Sequence, residues 1–142
     1  MDATGYATWE GTWKEGDGTV STEGTTLRNE PYSYASRFEG AAGASPEELL
    51  AVGEAACFNQ ALANNFGMNA LTATRVSTKV VVKIEQDEKS RPTITAMHVT
   101  TDAVVPGATE QAFQECAERA RANCTIARLL KVDLTMTATL SE

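Results

Sequence analysis

The stretch from Ser45 to Gly67 constrains this chain more than any other, because its middle, Leu49 to Phe58, is apolar almost all the way round. Ser45 is placed to cap a helix, Pro46 suits the first helical position, and Glu48 completes a capping box. The helix is expected to run to about Asn65, with Gly67 as its stop. A surface helix shows one apolar stripe, whereas a helix apolar on every side belongs inside the structure. The rest of the chain must therefore wrap it.

At 142 residues and 42 % apolar content, the chain can build one hydrophobic core. No composition break, repeat or low-complexity segment divides it, so residues 1–142 read as a single domain. Ahead of the helix, Ala7 to Trp13 alternates like a strand, Gly16-Asp17-Gly18 marks a turn, and Thr19 to Thr22 follows. Tyr32 to Phe38, after Pro31, reads as a third strand. Two long strands come after the helix, about Thr72 to Glu85 and Thr93 to Val105, joined as a hairpin through Asp87-Glu88-Lys89-Ser90. Thr109 to Ala122 forms a second helix with Phe113, Cys116, Ala117 and Ala120 on one face, and a short helix covers about Thr125 to Leu130. The alternating Val132 to Ala138 closes the chain. The order β-β-β-α-β-β-α-β predicts an α+β fold with antiparallel sheets around a buried central helix.

Lys and Arg number 12 against 19 Asp and Glu, a net charge of −7 that disfavours nucleic acid and anionic membranes as partners. The opening MDATGYATWEGTW lacks the charged-then-apolar layout of a signal peptide, and no stretch approaches a membrane span. A cytoplasmic protein is expected. Three cysteines do not suggest a secreted disulfide framework, so they are core residues, metal ligands or reactive thiols.

Cys57 lies near the middle of the apolar helix, which fits an inert core residue. Mid-helix placement withholds the N-terminal dipole, so a reactive thiolate there needs a nearby cation. Arg37 is the candidate; an outward-facing strand position explains it equally well. Cys124 stands at the start of the short helix, where thiols are more accessible and more acidic. It can bridge Cys57 only if their Cα atoms come within about 7 Å. If Cys116 and Cys124 share one helix, their eight-residue spacing puts them about 12 Å apart, beyond disulfide reach, and the apolar face around Cys116 reads as core. His98, the single histidine, reads as an ordinary strand residue. Cysteine and histidine spacings match no zinc motif, and no phosphate-binding or dinucleotide-binding glycine pattern is present.

Tyr34-Ala35-Ser36-Arg37-Phe38-Glu39-Gly40, Ser45-Pro46-Glu47-Glu48-Leu49-Leu50 and Glu54-Ala55-Ala56-Cys57-Phe58 together resemble the osmotically inducible protein C (OsmC) family. Trp9-Glu10-Gly11, Gly18 to Thr22, Val104-Val105-Pro106-Gly107 and Cys124 fit as well. The Arg37-Phe38 placement favours OsmC over its sister branch, the organic hydroperoxide resistance (Ohr) proteins. The resemblance implies an OsmC/Ohr-like intertwined homodimer and a stress-response, antioxidant peroxidase that reduces organic hydroperoxides, and hydrogen peroxide less efficiently, to alcohols. It implies no bound cofactor and no metal. Cys57 would be the peroxidatic thiol, passing through a sulfenic acid, and Cys124 the resolving thiol that closes a Cys57–Cys124 disulfide. Arg37 would stabilise thiolate and peroxide, Glu47 would orient Arg37, and an external dithiol, typically a lipoylated protein, would restore the enzyme.

Ten residues of one helix put about 15 Å between Glu47 and Cys57 along the axis. Either Arg37 spans that gap or a second protomer supplies Arg37 and Glu47, which agrees with an obligate dimer. The sequence departs from the family at three places. Glu54 stands where His or Tyr is usual, and a carboxylate there raises the thiol pKa unless it engages a cation. Asn59 and Gln60 make the following turn more polar, and Thr125-Ile126-Ala127 replaces a segment that typically begins with proline. Two alternatives stand beside the peroxidase: a non-catalytic module holding an apolar or acyl ligand in the dimer cleft, and a redox-sensing thiol protein.

Overall fold

Turns, more than apolar patterning, set the N-terminal strands in the computed structural model, which describes residues 1–142. The chain divides into two units, Met1–Leu49 and Leu50–Glu142. In the first, β1 (Gly5–Ala7), β2 (Asp17–Thr22) and β3 (Glu30–Ser33) form an antiparallel sheet in that order. The strand expected over Ala7 to Trp13 does not continue, because Gly11 turns the chain at φ +90°. Only an isolated bridge, Glu10 to Asp17, carries the pairing onward. The turn expected at Gly16-Asp17-Gly18 lies earlier, with the Gly16 amide donating to the Thr12 carbonyl at 2.8 Å. Gly18 falls inside β2, where a Cβ would come within 2.0 Å of the Thr8 carbonyl oxygen.

The third expected strand, Tyr32 to Phe38, changes into a helix halfway. α1 (Tyr34–Phe38) starts at Ser33 through a reciprocal serine cap. The Ser36 amide donates to the Ser33 hydroxyl at 3.1 Å, and the Ser33 amide donates to that of Ser36 at 2.8 Å. Tyr34 and Phe38, four residues apart, then pack with tilted rings whose centroids are 5.0 Å apart. Arg37 is therefore a helical residue and not a strand residue.

α2 (Pro46–Met68) starts where the sequence indicates, with the Glu48 amide donating to the Ser45 hydroxyl at 3.4 Å. Glu48 makes no return bond; the Ser45 hydroxyl instead donates to Glu47 at 2.9 Å. The helix passes through Gly67. Ala70, at φ 55°, takes the left-handed position that ends it, and the Leu71 amide donates back to the Phe66 carbonyl. One face, Glu54, Phe58, Leu62, Asn65 and Phe66, is buried. Val52 is 66 % exposed, so a single chain does not enclose the helix on every side.

In the second unit, β4 (Arg75–Gln86) and β5 (Pro92–Val104) form the expected hairpin, antiparallel throughout. Val76, Val80, Val82 and Ile84 turn inward, alternating with exposed Ser77, Lys79, Val81 and Lys83. The Asp87 carboxylate organises the loop by accepting from the Lys89 and Arg91 amides at 2.9 Å. α3 (Glu110–Asn123), capped by Thr109, crosses back before a single 3₁₀ turn, Ala127–Leu129, and β6 (Leu134–Ser141).

β6 pairs parallel with β5, which corrects the expectation of wholly antiparallel sheets. Parallel neighbours need a crossover, and α3 supplies it. Arg121 and Gln114 tie α3 to the Leu134 and Ala138 carbonyls at 2.7 and 2.8 Å. Phe58, Leu62, Phe66, Met97, Val99, Phe113, Cys116 and Ala120 make the core, each large side chain contributing about 1.5–3 kcal/mol through burial. Together the elements make an α+β fold with two three-stranded sheets. No helix is long and apolar enough to cross a membrane.

Candidate active site

Four side chains were singled out in the sequence, and they make two pairs. Arg37 and Glu47 pair within the first unit; Cys57 and Cys124 pair within the second.

The short α1 carries Arg37 and the first turn of α2 carries Glu47. Arg37 Nη2 donates to Glu47 Oε1 at 2.5 Å and Nε donates to Oε2 at 3.3 Å, a two-pronged ion pair. Ser45, 5 % exposed, adds the third bond to that carboxylate. Burial alone would raise the Glu47 carboxyl, but the bonds from Arg37, its own backbone and Ser45, with the Arg37 charge, hold it below its ordinary value. The guanidinium also lies 4.7 Å over the Phe38 ring. Trp9, Trp13, Tyr32, Tyr34, Phe38 and Arg37 line a cleft of about 270 Å³. Alternating aromatics were visible in the sequence, but as a strand pattern rather than a cleft lining.

In the second unit Cys57 is half-buried on α2 and Cys124 is buried at the C-terminal end of α3; neither is in a disulfide. The two are neighbours, close enough for Cys57 to add to the forces that raise the Cys124 thiol. The expectation that Cys124 would be accessible and acidic is overturned. It is 3 % exposed, and burial together with the neighbouring Glu54 carboxylate pushes its thiol up to about 12, against the Ala127 amide that donates to its sulfur at 3.4 Å.

Glu54, expected to raise the thiol one turn away unless it engages a cation, meets a different thiol. It is fully buried and accepts a hydrogen bond from the Cys124 thiol, Sγ lying 3.2 Å from Oε1 and 3.5 Å from Oε2. No cation pairs with it, and burial raises its carboxyl above the ordinary value while the Cys124 bond opposes that rise. Sequence reading attached Glu54 to Cys57, one turn away, and missed Cys124, seventy residues distant.

The remaining candidates fall into the scaffold. Cys116 is 1 % exposed among apolar side chains, with Asn69 Nδ2 3.5 Å from its sulfur, and burial raises its thiol. His98 bridges β5 to β6 through hydrogen bonds with Thr135 and Thr137 at 2.6 and 3.1 Å. Asn59 accepts from Thr78 at 2.5 Å, which accounts for a polar residue beside Cys57.

Residues 39–139 match the family model described as OsmC-like protein. The chain is 36 % identical over 132 residues to the peroxiredoxin OsmC of Escherichia coli strain K12, covering 93 % of this chain and 92 % of that protein. Among solved structures, an OsmC-like protein of unknown function from Vibrio cholerae superposes with a TM-score of 0.77 at 13 % identity, covering 97 % of this chain and 99 % of that one. The organic hydroperoxide resistance protein OhrB of Bacillus subtilis gives 0.68 at 20 % identity, covering 97 % and 98 %. These two share the fold.

Proposed function

The chain belongs to the OsmC family, in its OsmC branch, and on that premise we propose that it is a cysteine-based peroxidase reducing organic hydroperoxides, and hydrogen peroxide less efficiently, to alcohols. The observation that carries this reading is the placement of two free thiols, Cys57 and Cys124, as neighbours within one unit. Cys57, as thiolate, attacks the terminal hydroperoxide oxygen. The O–O bond breaks, the alkoxide takes a proton and leaves as alcohol, and Cys57 becomes a sulfenic acid. Cys124 displaces water from it to form the Cys57–Cys124 disulfide. An external dithiol, in our reading a lipoylated protein, returns both sulfurs to thiols, and the cycle needs no bound cofactor or metal.

Arg37 stabilises the thiolate and polarises the peroxide, with Glu47 fixing its orientation. In this reading residues 1–142 act as a single OsmC-like domain, the working molecule is an intertwined homodimer, and Arg37 and Glu47 serve the Cys57 of the second protomer. Exposed Val52, Val81 and Leu129 support a partner chain, since such apolar surface is what an obligate interface covers. The reducing cytoplasm is the compartment that keeps such thiols cycling.

The aromatic cleft beside Arg37 favours a second reading, a non-catalytic module that binds an apolar ligand. Single-turnover rates with hydrogen peroxide and with cumene hydroperoxide separate the two. A peroxidase oxidises faster with the bulky substrate and loses all turnover in C57S; a binding module consumes neither.

A further inference from the structure

Glu54 is a buried carboxylate that no cation neutralises, and it is aimed at a sulfur. Burying a charge without a partner is costly, so a carboxylate kept at 0 % exposure on the core face of α2 needs a reason. The Cys124 thiol donates to both of its oxygens, at 3.2 and 3.5 Å. Cys57 lies three residues further along the same helix, on the same face, and is itself a neighbour of Cys124. These three groups form a closed set inside one unit: a sulfur to be oxidised, a sulfur to attack it, and an oxygen base on the attacking sulfur.

Resting on the peroxidase reading above, we propose that Glu54 is a catalytic residue of the resolving step, the base that takes the proton from the Cys124 thiol as it attacks the Cys57 sulfenic acid. The Cys124 S–H bond breaks and its proton passes to the Glu54 carboxylate. The Cys124 electron pair forms the S–S bond, and the Cys57 S–O bond breaks with its pair going to the departing hydroxide. Glu54 then gives the proton to that hydroxide, which leaves as water, and the carboxylate is regenerated. Cys57 sulfenic acid and Cys124 thiol thus yield a disulfide and water with no further reactant. A buried thiol pushed up to about 12 makes almost no thiolate by itself, which is why a base in contact with it matters. The Cys124 thiol is the titratable group in contact with Glu54, so ionisation of Glu54 gates the step from the acid side.

The test compares wild type with E54Q and E54D, mixing reduced protein with one equivalent of cumene hydroperoxide and quenching at intervals. Trapped sulfenic acid and the Cys57–Cys124 bridge are then counted by mass spectrometry. E54Q should lower the bridge-forming rate at least tenfold relative to the sulfenic-acid-forming rate in the same series. It should also abolish the rise of the bridge-forming rate with pH, and E54D should restore part of both. An opposite result overturns the proposal: if the carboxylate only disfavours the Cys124 thiolate, E54Q forms the bridge faster. A slower bridge with an unchanged pH profile makes Glu54 structural and overturns it equally. Absence of both sulfenic acid and the Cys57–Cys124 bridge in wild type removes the peroxidase reading itself. Thermal melting of each variant separates loss of fold from loss of rate.

Discussion

Arg37 grips Glu47 with two hydrogen bonds, Nη2 to Oε1 at 2.5 Å and Nε to Oε2 at 3.3 Å, while Ser45 adds a third at 2.9 Å. Despite burial, these contacts hold the Glu47 carboxyl below its ordinary value. A carboxyl lowered by folding stabilises above its unfolded pKa, and that stability is lost as pH falls through the folded one. E47Q should therefore cost about 1–2 kcal/mol at neutral pH. In urea titrations at a series of pH values, the gap to wild type should close below the ordinary carboxylate range. An equal gap at every pH would mean the ion pair is not its source.

Glu54 carries the opposite sign. Burial raises its carboxyl, so its favourable contribution is complete below the unfolded pKa and is lost as pH rises through the folded one. E54Q should melt higher than wild type near neutral pH, with the advantage shrinking as pH falls and Glu54 protonates. A variant both more stable and slower to form the bridge is what a buried catalytic carboxylate gives. A lower melting temperature at neutral pH would show that the charge is compensated.

Cys116, packed among Phe113, Ala117 and Ala120 at 1 % exposure, should be dispensable for chemistry. C116A should keep hydroperoxide turnover. C116S places a hydroxyl in an apolar setting and should cost about 1–3 kcal/mol with turnover retained below its melting range. Loss of turnover in a folded C116A would assign a role to this thiol.

Val52, 66 % exposed on α2, lies on the face that a partner protomer covers in the dimer reading. Wild type should sediment as a dimer, and V52E should shift it toward monomer with turnover falling in parallel. A monomer that still consumes hydroperoxide would contradict shared sites.

What the sequence discloses is local. Ser45 and Pro46 mark the start of α2, and the alternation of Val76, Val80 and Val82 marks β4, because neighbouring residues alone decide both. Tyr32, Tyr34 and Phe38 suggest a strand, yet Ser33 and Ser36 sit at capping spacing, and that signal outweighs the alternation. Gly67 does not stop the helix, since a glycine near a helix end costs only about 1 kcal/mol and packing of Leu62 and Phe66 outweighs it. The parallel β5–β6 pairing and the Glu54–Cys124 contact join residues far apart in the chain. No local periodicity encodes such contacts, so the sequence exposes Glu54 as an oddity without its partner.

The most direct test of the account is a single turnover of the reduced protein with one equivalent of cumene hydroperoxide, followed by peptide mapping. The expected product is one Cys57–Cys124 bridge, with Cys116 still alkylatable. C57S should consume no hydroperoxide, and C124S should stop after one turnover at the sulfenic acid. Hydroperoxide consumption by C57S, or a bridge formed through Cys116, would contradict it.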